Sequence, residues 1–492
     1  MNKPTGILLS ADVLRQALAG LARVLPRNST LPVLSTVRVI RHRGTITLTA
    51  TDLDLRLTYT HRTEPSALTA LAQALAEMRW AREPAEGICI PIGALRAAAK
   101  GKGDVLITAD KLIFNSAVGE TTLPYEGIAV DEFPSPSDEH FSPVCSLDAE
   151  SRTAIVEAAP FMSTDETRYV LNGVLMDSTG DIVATDGRRL YQRTIPALTA
   201  LPDGVILPHG ALPVLGLPAF LSRDWILLHS KGKETFRKPT AEAIRIHKDS
   251  LVHWEAASEA ARKLVDKPKP PLGEKIPAVP RVRFHAAPWE LTSKLIEGNY
   301  PNWRQVVPVF EDRVVVTFTP EQAAQLRTVL AQWPRVKVDN DAITLAFPGT
   351  GLRLSDQNGT LHLLPGVLST FPIAACVNRK YLADAMALGT PVLRIFSDQD
   401  AMEFTIGTAR VIIMPIRTTT IPIEDAAKSA AEAAWEGCTV RLPDTHVGEV
   451  LSISRNGRKL VATVGDPPRS AIQRVPLDTL TLVKRPVTAK AA

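Results

Sequence analysis

The chain has 492 residues, 45% of them apolar and 22% charged, with 56 Lys and Arg against 52 Asp and Glu for a net charge of +4. This is the balance of globular domains with full cores, which excludes a disordered or collagen-like chain, and the length allows about three or four domains. No apolar run approaches the roughly 20 residues of a membrane span, no charged-then-apolar leader opens the chain, and Cys89, Cys145, Cys376 and Cys438 are too scattered for a zinc site or a disulfide framework; a cytoplasmic location, no membrane partner and buried free thiols are expected.

In chain order, a helical pattern from Ser10 to Leu25 leads to the phrase Gly-Thr-Ile-Thr-Leu-Thr-Ala-Thr-Asp at 44–52, then to a strand entering a short helix at Ile90-Pro91-Ile92-Gly93-Ala94-Leu95. The same series returns as a helical pattern from Ser146 to Met162, Gly-Asp-Ile-Val-Ala-Thr-Asp-Gly at 180–187, and Leu207-Pro208-His209-Gly210-Ala211-Leu212. A third, fainter copy runs from a helix at Thr319 to Trp333, through an echo of the phrase at Asp341 to Gly349, to Cys376 through Leu382. Its helix opens Thr319-Pro320-Glu321-Gln322, a capping box with proline at the first helical position. The period exceeds the roughly 20–50 residues of solenoid repeats, so the copies read as tandem domains.

Two segments interrupt the copies: about 64–86, an Ala/Leu-rich helix between Pro65 and Pro84, and about 234–280, a partly helical excursion containing Lys267-Pro268-Lys269-Pro270-Pro271. Beyond Arg417 an Ala/Glu stretch leads to short strand patterns around Val440, Val450 and Val461, separated by turn signals at Asn456-Gly457 and Asp466-Pro467-Pro468. A separate small β-barrel is expected there. The cations Arg15, Arg23 and Arg27 lie on or just after the first helix, Arg96, Lys100 and Lys102 on or after the short helix of the first copy, and Arg327 and Arg335 on or after the third long helix. Charge alone leaves them as a solvated face or as a polyanion surface.

Asp52-Leu53-Asp54 is a pair of carboxylates with metal-binding spacing, since alternate strand residues share a face. The second copy keeps Asp186 but follows it with Gly187-Arg188, so the pair is not repeated and a structural role at a strand end is the better reading. Gly101-Lys102-Gly103 and Gly457-Arg458-Lys459 lack the spacing of a phosphate-binding loop, and ten scattered histidines form no nucleophilic set. No catalytic residue, metal or cofactor is expected.

Several segments in one order carry a resemblance: Thr30-Leu31-Pro32-Val33-Leu34-Ser35, Thr47 to Leu57, Arg168 to Leu175, Val183 to Leu190, Thr292 to Pro308, and Ile412-Ile413-Met414-Pro415-Ile416-Arg417. Across about 7–417 the chain resembles the bacterial DNA polymerase III β subunit, the sliding clamp; the insertions and everything after Arg417 lie outside the pattern. The resemblance implies an α+β fold of three tandem DNA-clamp domains, with helices inside and antiparallel sheets outside, two chains closing head to tail into a homodimer ring. The expected bounds are 1–143, 144–308 and 309–417, then a linker at 418–436 and a small SH3-like or KOW-like domain at 437–492. The ring would join about Lys111 to Thr122 of one chain to Leu326 to Asn340 of the other.

The implied function is that of a non-catalytic processivity factor in the cytoplasm, associated with the nucleoid, holding duplex DNA without reading its sequence. Arg27, Arg96, Lys100, Arg168 and Tyr169 are the DNA-contact candidates, with Thr164, Asp165 and Val170 departing from the family's DNA-touching groups. A peptide cleft for replicative polymerase, clamp-loader ATPase and repair proteins carrying Gln-Leu-x-Leu-Phe-like motifs is implied at Leu171, Thr185, Gly187, Arg188, Arg189, Leu190, Pro301, Val306, Ile412, Met414, Pro415, Ile416 and Arg417. Gln305 stands where many clamps have arginine, and Arg188 where many have histidine. The alternative is an accessory or mobile-element clamp paralogue that acts as a repair or recruitment scaffold.

Overall fold

The computed structural model describes residues 6–42, 44–62, 86–134, 140–232, 235–236, 241–256, 267–269, 275–276, 278–307, 314–334, 339–348, 350–370, 372–417, 439–441, 447–456, 459–466, 471–476 and 481–484. The first expected insertion apart from Glu86, much of the second, the 418–436 linker, Arg335 and Cys438 lie outside the described residues. The chain divides into two compact units, Met1–Thr153 with Ala200–Glu297 and Ala154–Thr199 with Gly298–Ala492. Residues 144–153 and 200–297 fall in the first unit, and 154–199 and 298–308 in the second.

The first copy contains β1 (Ile7–Ser10), α1 (Ala11–Val24), β2 (Thr36–His42), β3 (Thr45–Thr51), β4 (Leu55–Arg62), β5 (Glu86–Pro91), α2 (Ile92–Ala98), β6 (Lys102–Ile107), β7 (Lys111–Ser116) and β8 (Gly119–Pro124). The second contains β9 (Ser142–Leu147), α3 (Ala149–Glu157), β10 (Gly173–Met176), β11 (Asp181–Thr185), β12 (Arg189–Thr194), β13 (Val205–Pro208), α4 (Leu212–Leu215), α5 (Pro218–Leu221), β14 (Trp225–Ser230), the short pair β15 (Thr235–Phe236) and β16 (Lys275–Ile276) around α6 (Ala241–Ala256), then β17 (Arg281–Ala286) and β18 (Trp289–Lys294). The third contains β19 (Val314–Thr317), α7 (Pro320–Gln332), β20 (Ala342–Phe347), β21 (Thr350–Ser355), β22 (Leu361–Ser369), β23 (Ile373–Asn378), α8 (Arg379–Ala387), β24 (Val392–Ile395), β25 (Met402–Ile406) and β26 (Ala409–Ile413). The repeated phrase is a strand each time, and the strand that enters a short helix follows it. The helix expected to reach Met162 stops at Glu157, because Pro160 cannot continue it and a 3-10 turn over Ala159–Phe161 takes its place.

In the first unit, one antiparallel sheet runs β1-β6-β7-β8 and another β5-β2-β3-β4-β18-β17-β14-β9. Helix α1 is N-capped by Ser10, whose Oγ accepts from the Val13 N–H at 3.2 Å, and it buries Leu14, Ala17, Leu18, Leu21 and Val24 on one stripe. Gly20 lies on that stripe because a Cβ there would come within 2.7 Å of the Trp289 ring. Trp289 packs edge-on to Tyr59 at 4.7 Å and continues through Phe220, Trp225 and Phe284, an aromatic spine beneath the helix.

In the second unit a continuous sheet follows the order β10-β11-β12-β26-β25-β24-β19-β22-β21-β20-β23. The capping box of α7 is present in both directions: Thr319 Oγ1 accepts from the Gln322 N–H at 3.2 Å, and Gln322 Oε1 accepts from the Thr319 N–H at 2.9 Å. The C-terminal strands β27 (Thr439–Arg441), β28 (Val447–Asn456), β29 (Lys459–Asp466), β30 (Ala471–Pro476) and β31 (Thr481–Lys484) form one antiparallel sheet in the order β30-β29-β28-β27-β31. Among the described residues no pairing joins its two edge strands, β30 and β31.

Candidate functional site

Four of the residues assigned by the resemblance to a peptide cleft, Thr185, Gly187, Arg188 and Arg189, share a turn that the chain uses twice. After β11, Thr185 Oγ1 donates to the Arg189 carbonyl at 2.6 Å and accepts from the Gly187 N–H at 3.0 Å, while Asp186 Oδ1 accepts from the N–H groups of Arg188 and Arg189 at 2.9 and 3.0 Å. After β3, Thr51, Asp52, Leu53, Asp54 and Leu55 repeat these four bonds one for one at 2.7, 3.1, 3.0 and 2.6 Å. Both turns need a left-handed residue, Gly187 at φ 87° and Leu53 at φ 85°. The Asp52 carboxylate is occupied in closing its own turn, which answers the metal-site reading with a structural role; burial pushes its pKa up, against the backbone N–H groups that lower it.

From that turn the wall of the cleft is built by register. Thr185 pairs with Leu190, Leu190 with Ile412 and Arg189 with Ile413, and the Met414 N–H extends the ladder by donating to the Arg188 carbonyl at 2.9 Å. The Ile416 N–H donates to the Cys376 carbonyl at 2.8 Å, and its side chain packs on Ala342, Ala346, Ala374 and Cys376. Leu171 ends a 3-10 turn begun by Asp165, whose Oδ1 caps the Thr167 N–H. Gly298, at φ 134°, lets the segment leading to Pro301 approach Tyr169 and Val170, where a Cβ would stand 3.1 Å from the Tyr169 hydroxyl.

Leu171, Leu190 and Ile412 are buried, whereas Gly187, Arg188, Pro301, Val306, Met414 and Arg417 are exposed and Thr185, Pro415 and Ile416 half-buried. Val306 is 63% and Met414 47% exposed, so each presents apolar surface to solvent. Arg189, placed by the resemblance among the cleft residues, does not face outward. Its side chain is 3% exposed and turned inward, donating from Nε to Asp186 Oδ2 at 3.0 Å, from Nη1 to Asp384 Oδ2 at 2.5 Å and from Nη2 to the Pro160 carbonyl. Its guanidinium lies 5.0 Å from the Phe161 ring centre and 4.3 Å from that of Tyr381. Burial, with Asp186 adding to it, raises the Tyr381 pKa. Asp384 lies 195 residues from Arg189, and nothing local in the sequence marks the pair.

Among the DNA-contact candidates Arg27, Arg96, Lys100, Arg168 and Tyr169 are all exposed. Arg96 and Lys100 line a shallow hollow of about 510 Å³ between α1 and α2, with Arg15, Leu18, Ala19 and Ala99. Arg15 is partly committed, because Nη1 donates to the carbonyls of Ala99 and Gly101 at 2.5 and 3.1 Å, capping the C-terminal end of α2. Arg327 does the same at the end of α8, donating to Met386 and Gly389 at 3.2 and 3.4 Å. These two cations serve as helix caps, which the sequence pattern did not separate from the exposed set. Arg168 is shared between the Asp186 carbonyl at 3.3 Å and Asp165 at 3.6 Å.

The copied helix-and-sheet plan, joined edge to edge by strand pairing, is the fold of solved sliding clamps. A DNA polymerase III β-subunit sliding clamp from Bartonella birtlesii matches with a TM-score of 0.61 and 20% identity over 84% of this chain and 99% of that one. The Caulobacter crescentus β sliding clamp matches with a TM-score of 0.61 and 19% identity over the same 84% and 99%. In sequence the chain is 26% identical over 313 residues to the β sliding clamp of Caulobacter vibrioides, spanning 61% of this chain and 68% of that one. It is 25% identical over 295 residues to that of Salmonella typhimurium, spanning 58% of this chain and 63% of that relative. No family profile matches the chain. The chain thus has the fold of the sliding clamps and is distantly similar in sequence to the β sliding clamps. Among the described residues no helix is long and apolar enough to cross a membrane.

Proposed function

We propose that the chain is a processivity clamp: three tandem clamp domains per chain, two chains closed head to tail around duplex DNA, and a peptide cleft that tethers polymerase, clamp loader and repair proteins through Gln-Leu-x-Leu-Phe-like motifs. One observation carries the ring. Successive copies are joined by antiparallel strand pairs, β4 to β18 and β12 to β26. Among the edges still open in the described residues, β8 pairs only with β7, and Leu361–Leu364 of β22 pair only with β21. An exposed edge is a pairing template, and a third joint of the same kind between β8 of one copy and β22 of another would close the circle. This moves the third-domain side of the joint from the 326–340 region of the sequence reading to β22, where Leu361 and Leu363 are exposed.

In this reading Arg27, Arg96, Lys100, Arg168 and Tyr169 meet phosphate and sugar rather than base edges, which allows sliding. The protein acts without catalysis, in the cytoplasm near the nucleoid. The five C-terminal strands are read as a small SH3-like barrel, supported by the pairing of the first strand with the last and by a bulge between Val450 and Ser452 that bends the long second strand. Light scattering across a dilution series, followed by retention on circular against linearised duplex, tests the proposal. A two-chain mass with loss only from linear DNA supports it; a persistent monomer, or equal loss from both, refutes it.

A further inference from the structure

The exposed wall of the cleft at Pro301 and Val306 belongs to a segment with few bonds of its own. The 3-10 turn Trp303–Val306 has no side-chain cap at Asn302, and its backbone bonds, Gln305 N–H to the Asn302 carbonyl and Val307 N–H to the Arg304 carbonyl, are long at 3.3 and 3.4 Å. Two side chains fix it. Trp303 is buried, and Arg304, its guanidinium 4.4 Å from the Trp303 ring centre, reaches the β10–β11 hairpin. There Nη2 donates to Asp177 Oδ2 at 3.0 Å, Thr179 Oγ1 at 2.7 Å and Asp181 Oδ2 at 2.9 Å.

The acceptors are held independently of Arg304. Asp181 Oδ1 accepts from Gln192 Nε2 at 2.8 Å and Thr194 Oγ1 at 2.7 Å, and Asp177 closes the hairpin through its backbone with Asp181 at 2.8 Å and its Oδ1 with the Thr179 N–H at 3.3 Å. The other ends of β11 and β12 carry Thr185 and Leu190 of the opposite cleft wall. We infer that Arg304 is a positioning residue for the cleft: without touching a client peptide, it sets the spacing between Val306 and the Thr185–Leu190 wall by fastening one to the hairpin that bears the other. The inference rests on the peptide-cleft reading of this site.

The experiment uses the full chain as wild type, Arg304→Ala and Arg304→Lys, the labelled pentapeptide Gln-Leu-Ser-Leu-Phe as probe, and hydrogen exchange at 303–307 without peptide. Arg304→Ala is expected to bind the probe roughly tenfold more weakly, with faster exchange at 303–307 and an unchanged thermal midpoint, and Arg304→Lys, which keeps the charge but not the fork, to fall between. Wild-type affinity in Arg304→Ala, or weaker binding only in step with a lowered midpoint, overturns the positioning role. If the wild type itself does not bind the probe, the cleft reading fails and the functional half of the inference with it, while the exchange rates still decide whether Arg304 holds the turn.

Discussion

Replacing Arg189 with alanine tests whether the cleft wall depends on a buried charge cluster. The guanidinium holds two carboxylates and a carbonyl and lies against two aromatic rings. Removing it leaves Asp186 and Asp384 facing each other without a counter-charge. Breaking a fully buried pair costs about 3–5 kcal/mol. Here the carboxylates keep some water, with side-chain exposures of 15% and 22%, which places the electrostatic loss at the lower end of that range; two lost cation–π contacts add about 0.5–1 kcal/mol each. A local loss of about 4–5 kcal/mol is expected, read as the opening free energy from hydrogen exchange of the β12 amides. Adding Asp384→Asn should recover part of it, with a coupling on the order of 1–3 kcal/mol in the double-mutant cycle. A single-mutant loss below about 1 kcal/mol would show that the cluster is not a determinant of the wall and refute the reasoning.

Three further outcomes follow from the geometry. Leu53→Asn should stabilise the first unit by about 0.5–1 kcal/mol and Gly187→Leu destabilise the second by about 1–2 kcal/mol, because both positions are left-handed and only leucine resists that conformation; equal effects of one sign in urea denaturation would contradict the equivalence of the two turns. Arg27→Ala, Arg96→Ala and Lys100→Ala should each lower the slope of log affinity for linear duplex against log salt by about 0.9, whereas an unchanged slope removes that residue from the phosphate-contact set. For Asp177, burial raises the pKa but the Thr179 N–H and Arg304 outweigh it, so the net shift is downward from the ordinary 3.8. The folded-state pKa is therefore the lower one, so the stabilisation is complete above about 3.8 and lost as pH falls through the folded value. Acid titration of Asp177→Asn should consequently show a shallower fall below pH 4, and a curve superimposable on wild type would exclude the group.

The sequence exposed what is local and repeated. Capping at Thr319, the strand phrases and the strand-to-helix entries depend on neighbours within a few residues, and each lies where the pattern placed it. The family resemblance named a floor and a rim for the cleft, but it could not say that Arg189 faces inward or that Arg15 and Arg327 are helix caps, since those roles depend on Asp384 and on the carbonyls at Ala99 and Met386, brought near only by folding. Arg304 lay unremarked inside the segment from Thr292 to Pro308 for the same reason: its acceptors Asp177 and Asp181 are more than a hundred residues earlier. Period and composition likewise mark copies, not the boundaries across which strands pair.

Those boundaries have a consequence for how the chain can be cut. Because β4 is hydrogen-bonded to β18 and β12 to β26, the repeat unit read from the sequence and the compact unit of the fold are out of step. A fragment ending at a copy boundary, such as 1–143, would leave Leu55–Tyr59 of β4 without its β18 partner, a raw edge inviting aggregation. A duplication history that added copies one by one would thus have had to seal each new seam by strand exchange, and a solitary copy would have had a reason to stick to another before any DNA lay between them.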